Sequence, residues 1–554
     1  VLKMIPRSTW RRARLVPGLV GTSVAVLLAA CGSSGSASSS PGSPASSGRG
    51  GSVVIGTTDK VTSLDPAGAF DAGSGTVAGQ VYARLLERPA GSSRLRPSLA
   101  TSAGFSSPSE YKVVLKAGLK FANGDPLTSA DVKFSFDRQL KIASTNGPSS
   151  LLYNLGSVET PDDTTAVFRL KAANDQVFPQ VLASGAGIIV DKAVFSATAV
   201  TPDATILAKK PFNGPYTINT YKANELVQFT ANPNYQGVLG KPGISTVNLR
   251  FFASEDNLKL GLQQGDIDLA SRSLSITALD ALGKDSKLTV YHGAATGIQY
   301  IAFNYKTQPF GTGTAEADPK KALAVRQAVA HALDRKAISN QVYRGTYGPL
   351  YTFLPTAVPG GSPVLKSRYG DGQGGADTAK AADVLRAAGV STPVTLRLQY
   401  NVDHYGASST DSFALIKSQL EATGLFTVNL QSTDWVQYSK ERVADSYPAF
   451  QLGWYADYLD AQDFFQPLYG DHGFIGNHYS DPALISLIEK QATTSGDGAR
   501  DALSLQIQTA LAAELPIVPL VESSPSVVAD KKVSGIQQAL ATGGLPFGAL
   551  KPGS

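Results

Sequence analysis

The stretch Tyr111-Lys-Val-Val-Leu-Lys116, continuing through Lys116-Ala-Gly-Leu-Lys-Phe-Ala-Asn-Gly-Asp125 to Leu127-Thr-Ser-Ala-Asp-Val-Lys-Phe-Ser-Phe136, holds three local instructions in one short run. Tyr111 to Lys116 is rich in β-branched and aromatic residues and reads as a strand. Asn123-Gly124-Asp125-Pro126 reads as a turn, because Asn, Gly and Asp tolerate the backbone a reversal needs. Thr128-Ser-Ala-Asp131 has the spacing of a capping box, which predicts a helix from there through Leu140.

Outward from this run, strand and helix signals alternate. Ser52-Val-Val-Ile-Gly56 reads as the first strand of the folded part. Asp318 is an N-cap candidate with Pro319 at the first helical position, and Leu323, Ala328, Val329, Ala332 and Leu333 follow at near-helical spacing. A further helix is predicted from Asp377 towards Gly389, with Ala381, Val384, Leu385 and Ala388 facing inward. Such alternation predicts mixed α/β lobes. The chain has 554 residues, more than the roughly 250–300 at which a single core stops growing, so more than one lobe is expected. No repeat of solenoid period is present.

The first fifty residues differ in kind. Lys3, Arg7, Arg11, Arg12 and Arg14 form a positive flank, Gly18 to Ala30 is apolar, and Leu28-Ala-Ala-Cys31 ends it. This arrangement resembles a bacterial lipobox, in which residues 1–30 are removed and Cys31 carries lipid. The apolar segment is too short to span a bilayer comfortably. The Arg11-Arg12 pair leaves open whether export is general or twin-arginine. Residues 31–51 are almost entirely Ser, Gly, Ala and Pro, which predicts a flexible tether.

Without residues 1–30 the chain holds 44 basic and 44 acidic residues, so the surplus charge of +5 belongs to the leader. A nucleic-acid partner therefore has no support from overall charge. Cys31 is the only cysteine, so no intrachain disulfide can form and stability must come from burial.

The opening stretch is part of an ordered series. Leu64-Asp-Pro66 precedes it, and Asn213-Gly-Pro-Tyr216, Asn232-Pro-Asn-Tyr235, Leu262-Gln-Gln-Gly-Asp-Ile-Asp268, Ala302-Phe-Asn304, Val325-Arg-Gln-Ala-Val-Ala-His-Ala-Leu-Asp-Arg335 and Gly453-Trp-Tyr-Ala-Asp-Tyr458 follow in order. The series resembles that of the extracellular solute-binding proteins of family 5, the oligopeptide and dipeptide receptors of ABC importers. The resemblance implies an α/β, two-lobed periplasmic-binding-protein-like (type II) fold with an extra subdomain inserted in the first lobe. By position, the first lobe would use 52–80, 204–298 and 523–554, the insertion 81–203 and the second lobe 299–522. It further implies a monomeric receptor that closes about a hinge on a peptide or peptide-like solute and presents it to the transmembrane permease subunits, held to the membrane by lipid on Cys31. No cofactor, no metal and no chemistry are implied.

The segment from Trp435 to Tyr458 is the expected ligand-facing part, since large amphipathic rings suit a pocket that accepts varied side chains. Trp435, Gly453, Trp454, Tyr455 and Tyr458 are its candidates. The resemblance assigns Asp457 to the ligand's N-terminal ammonium, a charge-assisted bond that a dehydrated cleft strengthens. Asp460 and Asp463 recur at three-residue spacing and read as helix caps. Where a similar receptor has arginine shortly before Gly-Trp, this chain has Gln451, and Arg442 is the basic residue left to meet a carboxylate, with a solvated surface role as its alternative. Main-chain groups at Gly453–Tyr455 and at Phe70-Asp71-Ala72 are candidates to pair with a peptide backbone.

Enzyme signatures fail. Gly370-Asp-Gly-Gln-Gly-Gly375 satisfies a dinucleotide fingerprint literally but follows no apolar strand. His292, His331, His404, His472 and His478 are scattered without a metal-binding motif. The alternatives to peptide capture are a nickel chelate, an oligosaccharide or a glutathione-like solute, or a peptide sensor without transport. A lipid-anchored hydrolase lacks a nucleophile or metal constellation.

Overall fold

The computed structural model describes residues 51–553 apart from 91, 93, 145, 272–273, 403, 406–407, 471–472 and 541–543. Cys31, the leader and nearly all of the tether lie outside the described residues, as does His472. Within them the opening stretch folds as read, into the strand Glu110–Leu115, a turn with Gly124 at φ +98° and the helix Ser129–Ile142. The Thr128 N–H donates to the Asp131 carboxylate at 2.9 Å, so an otherwise orphaned donor at the helix start is satisfied. The strand belongs to a four-stranded antiparallel sheet with Ala100–Ser107, Thr165–Leu170 and Leu155–Asp162. Phe136 of the helix meets Phe168 of that sheet edge to face, ring centroids 5.0 Å apart.

The strand Ser52–Thr57 is central in a seven-stranded sheet, parallel to Thr246–Phe251 on one side and to Leu269–Ser271 on the other. Val53 and Ile55 point into one core, while Val54 packs against the other, the period-2 alternation that a strand imposes. The hairpin Tyr216–Lys222 with Leu226–Ala231 completes one flank. Ser526–Asp530 and Leu288–His292 complete the other.

A second sheet of six strands has the order Gly348–Pro349, Ile517–Ser523, Gly297–Phe303, Ala449–Tyr455, Val394–Asn401, Phe426–Thr433. All of Gly297–Phe303 is buried. The helices Pro319–Ala332 and Thr378–Ala387 form as predicted, with Asp318 and Asp377 accepting N–H groups of their first turns. Gly370–Gly375 is a loop with Gly370, Gly372 and Gly374 at positive φ, and it follows the helix Val364–Arg368 rather than a strand.

The chain passes between the two large sheets at residues 293–296 and again at 524–525. These crossings lie side by side: the Gly293 N–H donates to the Pro525 carbonyl at 2.8 Å, and the Thr296 N–H to the Ser523 carbonyl at 3.1 Å. A Cβ on Gly293 would lie 2.7 Å from Pro525 Cγ, so the crossing needs a residue without a side chain. The four-stranded insertion also touches the second lobe. Tyr458 is buried in the insertion's own apolar core, and the Gln176 N–H donates to the Ala492 carbonyl at 2.9 Å. No helix among the described residues is long and apolar enough to cross a membrane.

Candidate functional site

The strand Ala449–Tyr455 carries the predicted motif to the crossing. Its residues Gly453, Trp454 and Tyr455 pair with Gln299, Ile298 and Gly297, and the next N–H, that of Ala456, donates to Thr296 within the crossing at 2.9 Å. Asp457 therefore stands beside the hinge. On its other edge the strand pairs in parallel with Val394–Asn401 only at Ala449 and Phe450, after which the two diverge.

Gln451 explains that divergence. Its side chain is fully buried; Oε1 accepts the Asn401 N–H at 3.0 Å and Nε2 donates to Ser409 Oγ at 3.0 Å. The Gln451 amide, a candidate to meet ligand, is thus engaged with Asn401 and Ser409 inside the second lobe. Gly453 likewise has a packing reason. A Cβ there would lie 2.8 Å from both the Ile298 carbonyl oxygen and Tyr405 Cε1. Trp435 opens the helix Trp435–Val443, and its ring lies parallel to that of His404 at 3.8 Å.

Arg442 is not the solvated surface residue its position in the sequence allowed. It is 5% exposed, and Nη1 donates to the Phe474 and Ile475 carbonyls at 2.9 and 2.8 Å. Its guanidinium sits 4.5 Å from the Phe474 ring centroid, Nε has no partner, and no carboxylate is within ion-pair distance among the described residues. Burial lowers its pKa. A buried cation without an anion is costly, and the two carbonyls and the Phe474 ring are the partners that offset that cost here.

Phe474, which sequence reasoning missed, adjoins two of the candidate residues. It is 40% exposed, receives Arg442 on its face and meets Trp454 at 5.3 Å. Its only signal was an aromatic between Gly473 and Gly476. Tyr455, 48% exposed, ends the strand. Phe70 is also exposed, and Ala72 begins the helix Ala72–Val81 of the first lobe, capped by Asp71. Neither makes a hydrogen bond to residues 453–458 among the described residues.

The three aspartates divide their labour. Asp460 receives a two-pronged ion pair from Arg500, both contacts at 2.7 Å, and also accepts the Gln462 N–H at 3.0 Å as a cap. Asp463 is fully buried and accepts the Asp457 N–H at 2.8 Å. The Asp457 carboxylate is half-buried and accepts no hydrogen bond among the described residues. Burial pushes its pKa up to about 7. A depression of about 540 Å³ lined by Arg397, Gln399, Gln431, Thr433, Glu441 and Tyr447 lies elsewhere and contains none of the predicted site residues. Among the described residues no group of three or more His, Cys, Asp or Glu side chains could hold a metal ion.

Two sheets joined by paired crossings, an insertion on the first lobe and a carboxylate at the hinge define a two-lobed binding protein of the type II periplasmic kind. The family described as bacterial extracellular solute-binding proteins, family 5 Middle, matches residues 94–475, and the chain belongs to it. A relative in Pseudomonas aeruginosa (strain UCBPP-PA14), Di/tripeptide-binding protein 1, is 26% identical over 487 residues, 82% of this chain and 85% of its own. The solved structure of the ABC transporter substrate binding protein CtaP from Listeria monocytogenes is similar with a TM-score of 0.76 and 25% identity, covering 92% of this chain and 100% of that one. DppA from Helicobacter pylori, solved in complex with the peptide STSA, shares the fold with a TM-score of 0.72 at 21% identity, covering 91% and 99%.

Proposed function

We propose that the protein captures short peptides, or peptide-like solutes with an ammonium head, outside the membrane and delivers them to the permease of an ABC importer. The observation that carries this reading is the Asp457 carboxylate, which is half-buried beside the hinge and without a hydrogen-bond donor among the described residues. An ammonium supplies both the missing donors and the missing charge. Arg442, buried without a carboxylate, suits a peptide's carboxylate or an acidic side chain in the same way. The names of the relatives above support the peptide class.

Trp454, Tyr455 and Phe474 would supply apolar contact, and Phe70 and Ala72 would close from the first lobe. Ligand contacts to both lobes favour the closed form, which the permease reads. In this reading the first lobe comprises 52–80, 204–298 and 523–554, the insertion 81–203 and the second lobe 299–522. Every strand of the seven-stranded and four-stranded sheets lies within those limits, which supports the division, while Gly297–Phe303 and Ile517–Ser523 of the six-stranded sheet move its limits by one or two residues, to the crossings at 293–296 and 524–525. The protein acts as a monomer and performs no catalysis.

Native mass spectrometry of the purified protein tests the reading directly. A retained peptide mass, displaced by peptide pools but not by nickel chelates, oligosaccharides or glutathione, is the expected outcome; displacement by one of those solutes alone would overturn it. Cys31 is proposed as the lipid attachment point. Cys31→Ser is expected to move the protein from the membrane fraction to the soluble one and to abolish labelling by a fatty acid, and retention in the membrane would remove the anchor from the account.

A further inference from the structure

The Asp463 carboxylate holds the backbone of Asp457. Its Oδ2 takes the N–H of Asp457, while Oδ1 is buried without a hydrogen-bond partner among the described residues. The indole N–H of Trp454, also buried and unpartnered, lies close by and eases the Asp463 charge. We propose that Asp463 is a positioning residue that fixes the Asp457 backbone and shares its proton, so that capture of a ligand's ammonium is coupled to release of one proton to solvent. This deepens the peptide reading and rests on it for the identity of the ammonium.

The surroundings leave that proton with the two aspartates. Tyr458 from the same loop and Tyr153 from the insertion are neutral phenols here, both held protonated by burial. Asp460 and Asp175 are acidic neighbours, and Arg500, the cation that faces them, is consumed by the two-pronged pair with Asp460. Burial and the adjacent Asp457 charge hold Asp463 well above the usual carboxylate range. Two carboxylates without a cation between them keep a proton at neutral pH. An arriving ammonium is that cation, and it replaces the proton. A neutral head group is not, so the pair selects charged amines over N-acylated or sugar ligands.

The test uses the ligand-free protein first. Beyond the leader the tryptophans are Trp435 and Trp454. Trp435→Phe removes the ring stacked on titratable His404 and leaves Trp454 as the reporter. Its emission is expected to titrate with a midpoint near neutrality, moving to lower pH in Asp463→Asn, where the burial of Asp457 remains but the neighbouring charge is gone, and vanishing in Asp457→Asn. No transition between roughly pH 5 and 8.5, or the same midpoint in both variants, overturns the proposal. Should Asp463→Asn not fold, Asp463→Ser, which keeps an oxygen to accept the Asp457 N–H, takes its place. Calorimetry of a dipeptide at pH 6 in two buffers of different ionisation enthalpy is then expected to show about one proton released by the wild type, and equal release by Asp463→Asn overturns the coupling. If no peptide binds while the Trp454 transition behaves as stated, the peptide reading falls and the shared proton stands.

Discussion

Arg138→Ala is expected to cost the fold about 3–5 kcal/mol, because it strands a buried carboxylate. Arg138 and Asp65 are 2% and 0% exposed. Nη1 and Nη2 meet the two carboxylate oxygens at 2.9 and 2.7 Å, and Asp65 also accepts the Ala67 and Thr201 N–H groups at 3.0 and 2.7 Å. Arg138 Nε donates to the Ser196 carbonyl at 2.8 Å, and the guanidinium lies 5.4 Å from the Phe195 ring centroid. The pair thus ties the first lobe to the insertion helix and to the segment at 196–201. Urea unfolding measures the loss, with exposed Arg386→Ala as the control. A double change, Asp65→Leu with Arg138→Met, is expected to recover only part of it, since no unpaired charge remains but the Ala67 and Thr201 N–H groups lose their acceptor. A single variant no weaker than the control would show that Asp65 is satisfied without its arginine.

Asp457→Ala is expected to weaken binding of the native ligand by roughly 10- to 150-fold, the loss of a charged hydrogen bond worth about 1.5–3 kcal/mol. The pH dependence follows from the raised pKa of about 7. Below that value the free protein holds the carboxyl neutral, and the ammonium must expel a proton to bind, so affinity rises with pH through neutrality. Above it the peptide's α-amino group, with a pKa of about 7.7–8.0, loses its own charge and affinity falls again. Asp457→Asn is expected to lose the rising limb and keep the falling one. Isothermal calorimetry from pH 5.5 to 9 reads both. Unchanged affinity in Asp457→Ala would remove the carboxylate from the binding site.

Much of the architecture was legible because the signals were local. The capping box at Thr128, the Asp318-Pro319 and Asp377 helix starts and the strand at Ser52 each depend on a few neighbouring residues, and all form as read. Residues of the site were harder to place. Gln451 and Arg442 are both polar and near the aromatic motif, yet one is spent on Asn401 and Ser409 while the other is buried without an anion. That difference depends on contacts to residues thirty or more positions away. The aspartates at 457, 460 and 463 share one spacing and take three roles, because Arg500, distant in sequence, reaches only Asp460.

By itself the sequence determined the class: an ordered motif series for a two-lobed family 5 receptor, with an overall charge that offers a nucleic-acid partner no support. It also marked Asp457, since one short motif brings a carboxylate to the end of a strand among aromatics. Only the tertiary structure decided which charges are satisfied. Pairing of Asp65 with Arg138, burial of Arg442 against Phe474 and the hold of the Asp463 carboxylate on the Asp457 backbone all join residues on different elements. Periodicity and capping describe one element at a time, whereas the energy of a buried charge is set by whatever the fold packs against it.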